Sequence, residues 1–184
     1  MSILKIAQMG HPVLRQQCEK INPEEITEFA VQQLIRNMLE TMIEYNGVGL
    51  AAPQVHNPVQ LALVGGETDE EGKQILRVII NPEITVIGDE KFGMYEGCLS
   101  VPGLRGYVER PSHILVSAYD KKGDKYELEL EGFPAVVMQH ECDHLQGKLY
   151  IDRITDTTKL AFEDEAARFL PVDLTTDDEE GASD

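Results

Sequence analysis

Apolar residues recur along this chain with two different periods. From Ile26 the pattern Ile26, Phe29, Ala30, Leu34, Met38, Met42, Ile43 repeats at helical spacing and predicts one stripe facing a core. Asn22-Pro23-Glu24-Glu25 offers an Asn cap, Pro in the first turn and a carboxylate that can reach back to the cap, so the helix is expected to open there. Asn46-Gly47 is expected to end it. Short β-rich runs follow at Val59 to Val64, Ile75 to Ile80, Ile84 to Ile87 and Ile114 to Tyr119. Asp120-Lys121-Lys122-Gly123-Asp124 reads as a turn into the strictly alternating Tyr126 to Leu130, which predicts a hairpin and a mostly antiparallel sheet. A second helix is predicted between Pro134 and Gly147, and a third from about Thr157 to Phe169.

Two segments break both periods. In Gly47-Val48-Gly49-Leu50-Ala51-Ala52-Pro53-Gln54, two glycines and a proline suggest a tight loop whose backbone is closely approached. Gly97 and Pro102-Gly103 around Cys98 suggest a shaped loop rather than a packed strand. The reading is an α+β fold, with mostly antiparallel strands around a central helix that carries His140-Glu141-Cys142-Asp143-His144.

With 184 residues the chain is long enough for one domain with a real core, read as 1–170 followed by an acidic, disordered tail at 171–184. Sixteen Lys and Arg against 33 Asp and Glu leave a formal charge of −17, which repels phosphate backbones and anionic lipid and argues against DNA or membrane partners. Cys18, Cys98 and Cys142 cannot all pair, which fits a reducing compartment. With no signal-like N-terminus and no long apolar run, a cytoplasmic protein is expected.

The chemistry concentrates in the H-E-x-x-H pattern. Positions four apart on a helix differ by about 400° of rotation and about 6 Å of rise, so His140 and His144 project from one face and can share a metal ion. Glu141 lies about 100° from His140, beside such an ion without ligating it, and is the candidate proton carrier. A catalytic site needs a third protein ligand, for which Cys98 is the candidate. Cys142 points about 200° away from His140, which suits packing rather than ligation. Thiolate and imidazole donors suit zinc as well as iron.

Gly47-x-Gly49-Leu50-Ala51-Ala52-Pro53-Gln54, Glu96-Gly97-Cys98-Leu99-Ser100 and Gln139-His140-Glu141-x-Asp143-His144, in that order, resemble the three signature motifs of the peptide deformylases. Gly10-His11-Pro12-Val13-Leu14-Arg15 resembles that family's opening segment, and the similarity runs over roughly residues 3 to 155. The resemblance implies a hydrolase of protein biosynthesis that removes the formyl group from the N-terminal formylmethionine of nascent chains and releases formate. It implies ferrous iron, with zinc, nickel or cobalt as replacements. It also implies that the Gln54 amide and the Leu99 backbone N–H receive the oxyanion, and that Arg110 braces Asp143. Val48, Gly49, Leu99 and Val136 or Val137 are candidates to line the slot for the substrate methionine. Some members of the family engage the ribosome through a basic C-terminal helix; Phe162-Glu163-Asp164-Glu165 and the residues after Pro171 reverse that charge.

Two rival functions remain open from sequence. A zinc endopeptidase would use the same helix with a distant His or Glu as third ligand, and a non-catalytic module would keep the metal only as a staple. The cysteine motif argues against the first, and Glu141 with Gln54 against the second.

Overall fold

The first helix starts later than its cap predicts. In the computed structural model, which describes residues 2–169, Asn22 caps a separate 3-10 turn, Pro23–Glu25, and the helix proper, α1, spans Phe29–Glu44. The break lets Ile26 drop fully into the core, while Gln32 Nε2 donates to the Ile26 carbonyl at 2.8 Å and ties the turn to the helix. The buried face is accordingly Ile35, Met38 and Met42 with Thr41, whereas Phe29 and Ile43 of the expected stripe face solvent. Asn46 rather than Gly47 takes the left-handed conformation at the end, with φ 52°.

The glycine-rich segment is not simply a loop. Gly49–Ala51 forms a short strand, β1, followed by a 3-10 turn, Ala52–Val55. Next come β2 (Leu61–Thr68) and β3 (Gln74–Val86), the latter joining two predicted runs into one strand. The join is a register shift between Ile80 and Glu83, where Asn81 has φ 52° and Pro82, lacking an N–H, is tolerated. The Asn81 side chain holds the kink by bonding the Ile21 N–H at 2.9 Å and carbonyl at 2.7 Å.

The largest correction concerns the cysteine motif. Lys91–Cys98 is a strand, β4, paired antiparallel with β5 (Val101–Pro111), and Leu99-Ser100 is only the turn between them. Glycine hid this strand from the pattern. A Cβ on Gly93 would collide with the Tyr107 ring, and one on Gly97 would lie 2.7 Å from Arg105 Cζ, so both sites are glycine because side chains cross the strand there. The hairpin of β6 (His113–Tyr119) and β7 (Lys125–Glu131) forms as predicted, with Asp120 Oδ1 accepting from the Lys122 and Asp124 N–H groups.

The motif helix, α2, spans Phe133–Leu145, with Pro134 in its first turn and Gly147 at φ 70° just beyond. The predicted third helix is shorter. Tyr150–Arg153 and Thr157–Lys159 are 3-10 turns, Leu160–Phe162 is a strand, β8, pairing with β5, and only Glu163–Phe169 is helical, α3. The Asp156 side chain accepts from the Thr158 N–H and closes the chain into its own turn there. The acidic segment after Pro171 lies outside the described residues.

The strands form two antiparallel sheets, β1-β2-β3-β6-β7 and β4-β5-β8. In β2, Leu61 and Leu63 pack with the α1 residues, while Ala62 and Val64 pack with Ala135, Met138 and Cys142 of α2. Alternation therefore puts α1 and α2 on opposite faces of the larger sheet, and explains why this stretch is apolar without a break. The structure is thus the expected α+β type. On its other side α2 meets β5, which places the cysteine hairpin against the two histidines.

Candidate metal centre

Helix geometry and strand register together assemble the centre. His140 and His144 stand one turn apart on α2 with ring centroids 5.1 Å apart. Cys98 arrives from the end of β4, at a register shift where Pro102 to Arg105 of β5 stand opposite Gly97 alone, so that β4 itself keeps its alternation. Its Sγ lies 3.3 Å from His144 Nε2, and one donor atom from each of Cys98, His140 and His144 lies within 4.8 Å of the others. Among the described residues this is the group of side chains with metal-ligating geometry.

Charge at the centre follows from this packing. Burial opposes ionisation of Cys98, yet His144 and His140 outweigh it and hold the thiol well below its ordinary range. Burial also opposes a charged His140, but hydrogen bonding to Cys98 and Glu96 raises it well above the usual imidazole value. An ionised sulfur beside two imidazole nitrogens is a donor set that suits zinc or ferrous iron. Glu141 is 4% exposed, and burial pushes its carboxyl up to about 7 against the pull of His140 and His144. Its Oε2 is buried with no hydrogen-bond partner among the described residues, as an acceptor reserved for something else would be. The close approach inferred at the first motif is this carboxylate: a Cβ on Gly49 would lie 2.8 Å from Glu141 Cδ.

Gln54 is buried beside the sulfur. Its Oε1 accepts from the Ala51 N–H at 2.8 Å, which orients the amide so that Nε2 lies 3.5 Å from Cys98 Sγ and donates to Ser100 Oγ at 3.2 Å. Leu99 is in the turn next to Cys98, and its side chain would sit 3.2 Å from a Cβ on Gly47. The apolar candidates divide: Val48 is half exposed, whereas Val136 and Val137 are buried, Val137 within the core between α2 and the sheet. Cys142 packs in the same core.

Arg110 is not solvated. Its Nη1 donates to Asp143 Oδ2 at 2.8 Å, and its Nε and Nη2 fork onto Glu96 at 2.6 and 3.0 Å. Glu96 Oε2 in turn receives His140 Nδ1–H at 2.7 Å, which turns Nε2 of that ring toward the sulfur. Sequence reasoning gives Glu96 no role, because reading its segment as a loop hides that positions two apart on a strand share a face. It also misses Arg153, which reaches Asp143 from the turn after α2, and Tyr150, whose ring stacks on His140 at 6.1 Å.

This ion cluster carries an acid-stability prediction. Burial opposes ionisation of Glu96 and Asp143, but His140 and Arg110 for the one, and Arg153 and Arg110 for the other, hold both carboxyls below their ordinary values. Such groups stabilise the fold fully above the usual carboxylate pKa of about 4 and lose that contribution as pH falls through the depressed value. Thermal midpoints are expected to drop from about pH 5 downward, and to drop less steeply in Glu96→Gln. Equal slopes in the two proteins would refute the assignment.

Known proteins match the chain along most of its length. A profile of the family described as polypeptide deformylase matches residues 3–160. The chain is 44% identical over 170 residues to a peptide deformylase of Leptospira biflexa, covering 90% of this chain and 95% of that one. It is 45% identical over 161 residues to peptide deformylase 1 of Bordetella pertussis, covering 85% and 90%. The solved class I type b peptide deformylase of Acinetobacter baumannii, bound to Met-Ala-Ser, superimposes with a TM-score of 0.78 at 36% identity, covering 83% of this chain and 99% of that one. Similarity of this reach across both sheets and the motif helix means that this chain belongs to the polypeptide deformylase family and is an enzyme of that kind.

Proposed function

We propose that the enzyme is a metal-dependent amide hydrolase that removes the N-formyl group from the N-terminal formylmethionine of nascent chains in the cytoplasm. The observation that carries this reading is the convergence of Cys98, His140 and His144 beside a buried carboxylate, one oxygen of which has no partner among the described residues. The Acinetobacter baumannii relative solved with Met-Ala-Ser supports a substrate that begins with methionine, since loss of formyl from formyl-Met-Ala-Ser leaves that peptide. Among the described residues no helix is long and apolar enough to cross a membrane, and the charge of −17 disfavours polyanionic partners.

Cys98, His140 and His144 would hold a divalent ion, which would supply Lewis acidity and make an attacking water more acidic. Glu141 takes the proton of the attacking water on its free carboxylate oxygen and returns it to the departing amine nitrogen. The formyl C–N bond breaks, the water oxygen stays on carbon as formate, and the peptide leaves as a free amine. Gln54 Nε2 and the Leu99 N–H donate to the oxyanion that develops in between. The half-exposed Val48, with Leu99 and Gly49 beside Glu141, forms the apolar side offered to the methionine. Val136 and Val137, buried on the motif helix itself about one turn before His140, act on the slot through that helix's packing. Arg110 and Asp143 hold Glu96, and so His140, in place.

Ferrous iron is the proposed physiological ion, with zinc, nickel or cobalt as substitutes. The test is formate release from formyl-Met-Ala-Ser by protein loaded anaerobically with iron or with zinc. Iron-loaded protein is expected to turn over faster, and equal rates overturn the iron assignment. Absence of formate with either ion, together with internal cleavage of unblocked peptides, overturns the function in favour of an endopeptidase.

A further inference from the structure

A line of alternating charges runs from the surface to the outer nitrogen of His140. Arg153 closes the 3-10 turn Tyr150–Arg153, and its Nη2 and Nε donate to Asp143 Oδ1 and Oδ2 at 2.5 and 3.1 Å. Asp143 shares Oδ2 with Arg110, Arg110 forks onto Glu96, and Glu96 accepts the His140 Nδ1–H. The side chains of Asp143, Arg110 and Glu96 are 6%, 4% and 3% exposed, whereas that of Arg153 is 43% exposed.

With an ion bound, His140 is a neutral ligand, so the two carboxylates and one guanidinium shut inside carry a net charge of −1, and Arg153 brings the set to zero. An uncompensated buried charge is costly, so the set rearranges if Arg153 is lost. Among the described residues Asp143 then has Arg110 as its remaining side-chain cation and draws it away from Glu96. Glu96 loses part of its fork and no longer fixes the position of its bond to His140. Tyr150, at the other end of the same turn, lies against the His140 ring at an interplanar angle of 19°, with its hydroxyl donating to the Leu104 carbonyl at 3.1 Å. The ring plane is thus held separately, and the influence of Arg153 is confined to the bond at Nδ1.

We infer that Arg153 is a positioning residue for His140, acting through Asp143, Arg110 and Glu96 to set how firmly that histidine holds the ion. This rests on the reading of His140 as a metal ligand. An ordinary ion pair at a half-exposed arginine contributes little to folding and leaves a metal site unaffected. Direct outer partners of ligating histidines change metal affinity by about 10- to 100-fold when removed. Arg153 lies further out, so a smaller effect, about 3- to 10-fold, is expected.

The test uses full-length protein loaded with Co²⁺ and follows release of the ion to an excess of chromophoric chelator. Arg153→Gln is expected to release cobalt about 3- to 10-fold faster than the parent, and Arg153→Lys, which keeps the charge without the fork, to fall between the two. Lys20→Gln, which removes an exposed cation paired with Glu83 outside this network, is the control and should release at the parent rate. A folded Arg153→Gln that releases at the parent rate overturns the inference. If Arg153→Gln does not fold, Arg153→Lys decides: faster release than the parent supports the inference, and the parent rate overturns it. If the parent takes up no stoichiometric cobalt, or Cys98→Ser holds it unchanged, the metal-centre reading itself fails, a result distinct from either outcome for Arg153.

Discussion

Replacing Glu141 by Gln is expected to lower kcat for formate release by about 10²- to 10⁴-fold while leaving metal uptake unchanged. The amide has the same shape and fills the same space against Gly49, where the Glu141 carboxylate makes its close approach. What it lacks is the ability to take a proton on the buried oxygen that has no hydrogen-bond partner among the described residues. A second readout separates this role from a structural one. Burial raises the carboxyl of Glu141 to about 7, so in the metal-free protein the folded state holds that proton more tightly than the unfolded chain. The resulting stabilisation is present below the ordinary carboxylate range and is lost as pH rises through about 7, leaving an ionised buried group as a cost above it. The thermal midpoint of metal-free Glu141→Gln at pH 8 should therefore be higher than that of the parent. A variant that is less stable, or one that retains full turnover, contradicts the assignment.

For Gln54→Ala, turnover is expected to fall by about 100- to 1,000-fold without vanishing, the usual effect of removing one oxyanion donor. Truncation also leaves the buried Ala51 N–H without its 2.8 Å acceptor, at a cost of about 1–3 kcal/mol in stability. Gln54→Glu separates the two effects. A carboxylate can still accept from Ala51 but has no N–H to offer toward the sulfur side of the site. If donation is what matters, Gln54→Glu loses turnover while keeping more of the stability; full activity in that variant removes Gln54 from the reaction.

The parts of the site that share one helix could be read before any fold was known. His140, Glu141 and His144 keep their relative directions wherever α2 lies, because the helical repeat alone sets them. The need for a third ligand pointed to Cys98 and the resemblance of three ordered motifs added Gln54, but neither told which element delivers them. Reading Glu96 to Ser100 as a loop failed because Gly93 and Gly97 interrupt the alternation that marks a strand, and their reason for being glycine is Tyr107 and Arg105 on the partner strand. The helix cap at Asn22 failed in a similar way: its local chemistry is sound and makes a turn, but Ile26 has a place in the core that a continuous helix does not reach.

The sequence by itself determined the pair of histidines and their acid, the turn at Asp120 to Asp124 and the family, since each depends on residues close together or on motifs in order. Tertiary structure alone decided the packing of the β4–β5 hairpin that brings Cys98 to His144, and the line Arg153–Asp143–Arg110–Glu96–His140. The physical reason is range: a helical period is set by bonds within one turn, whereas charges far apart in the chain meet only where the packing of α2 against the second sheet brings them together.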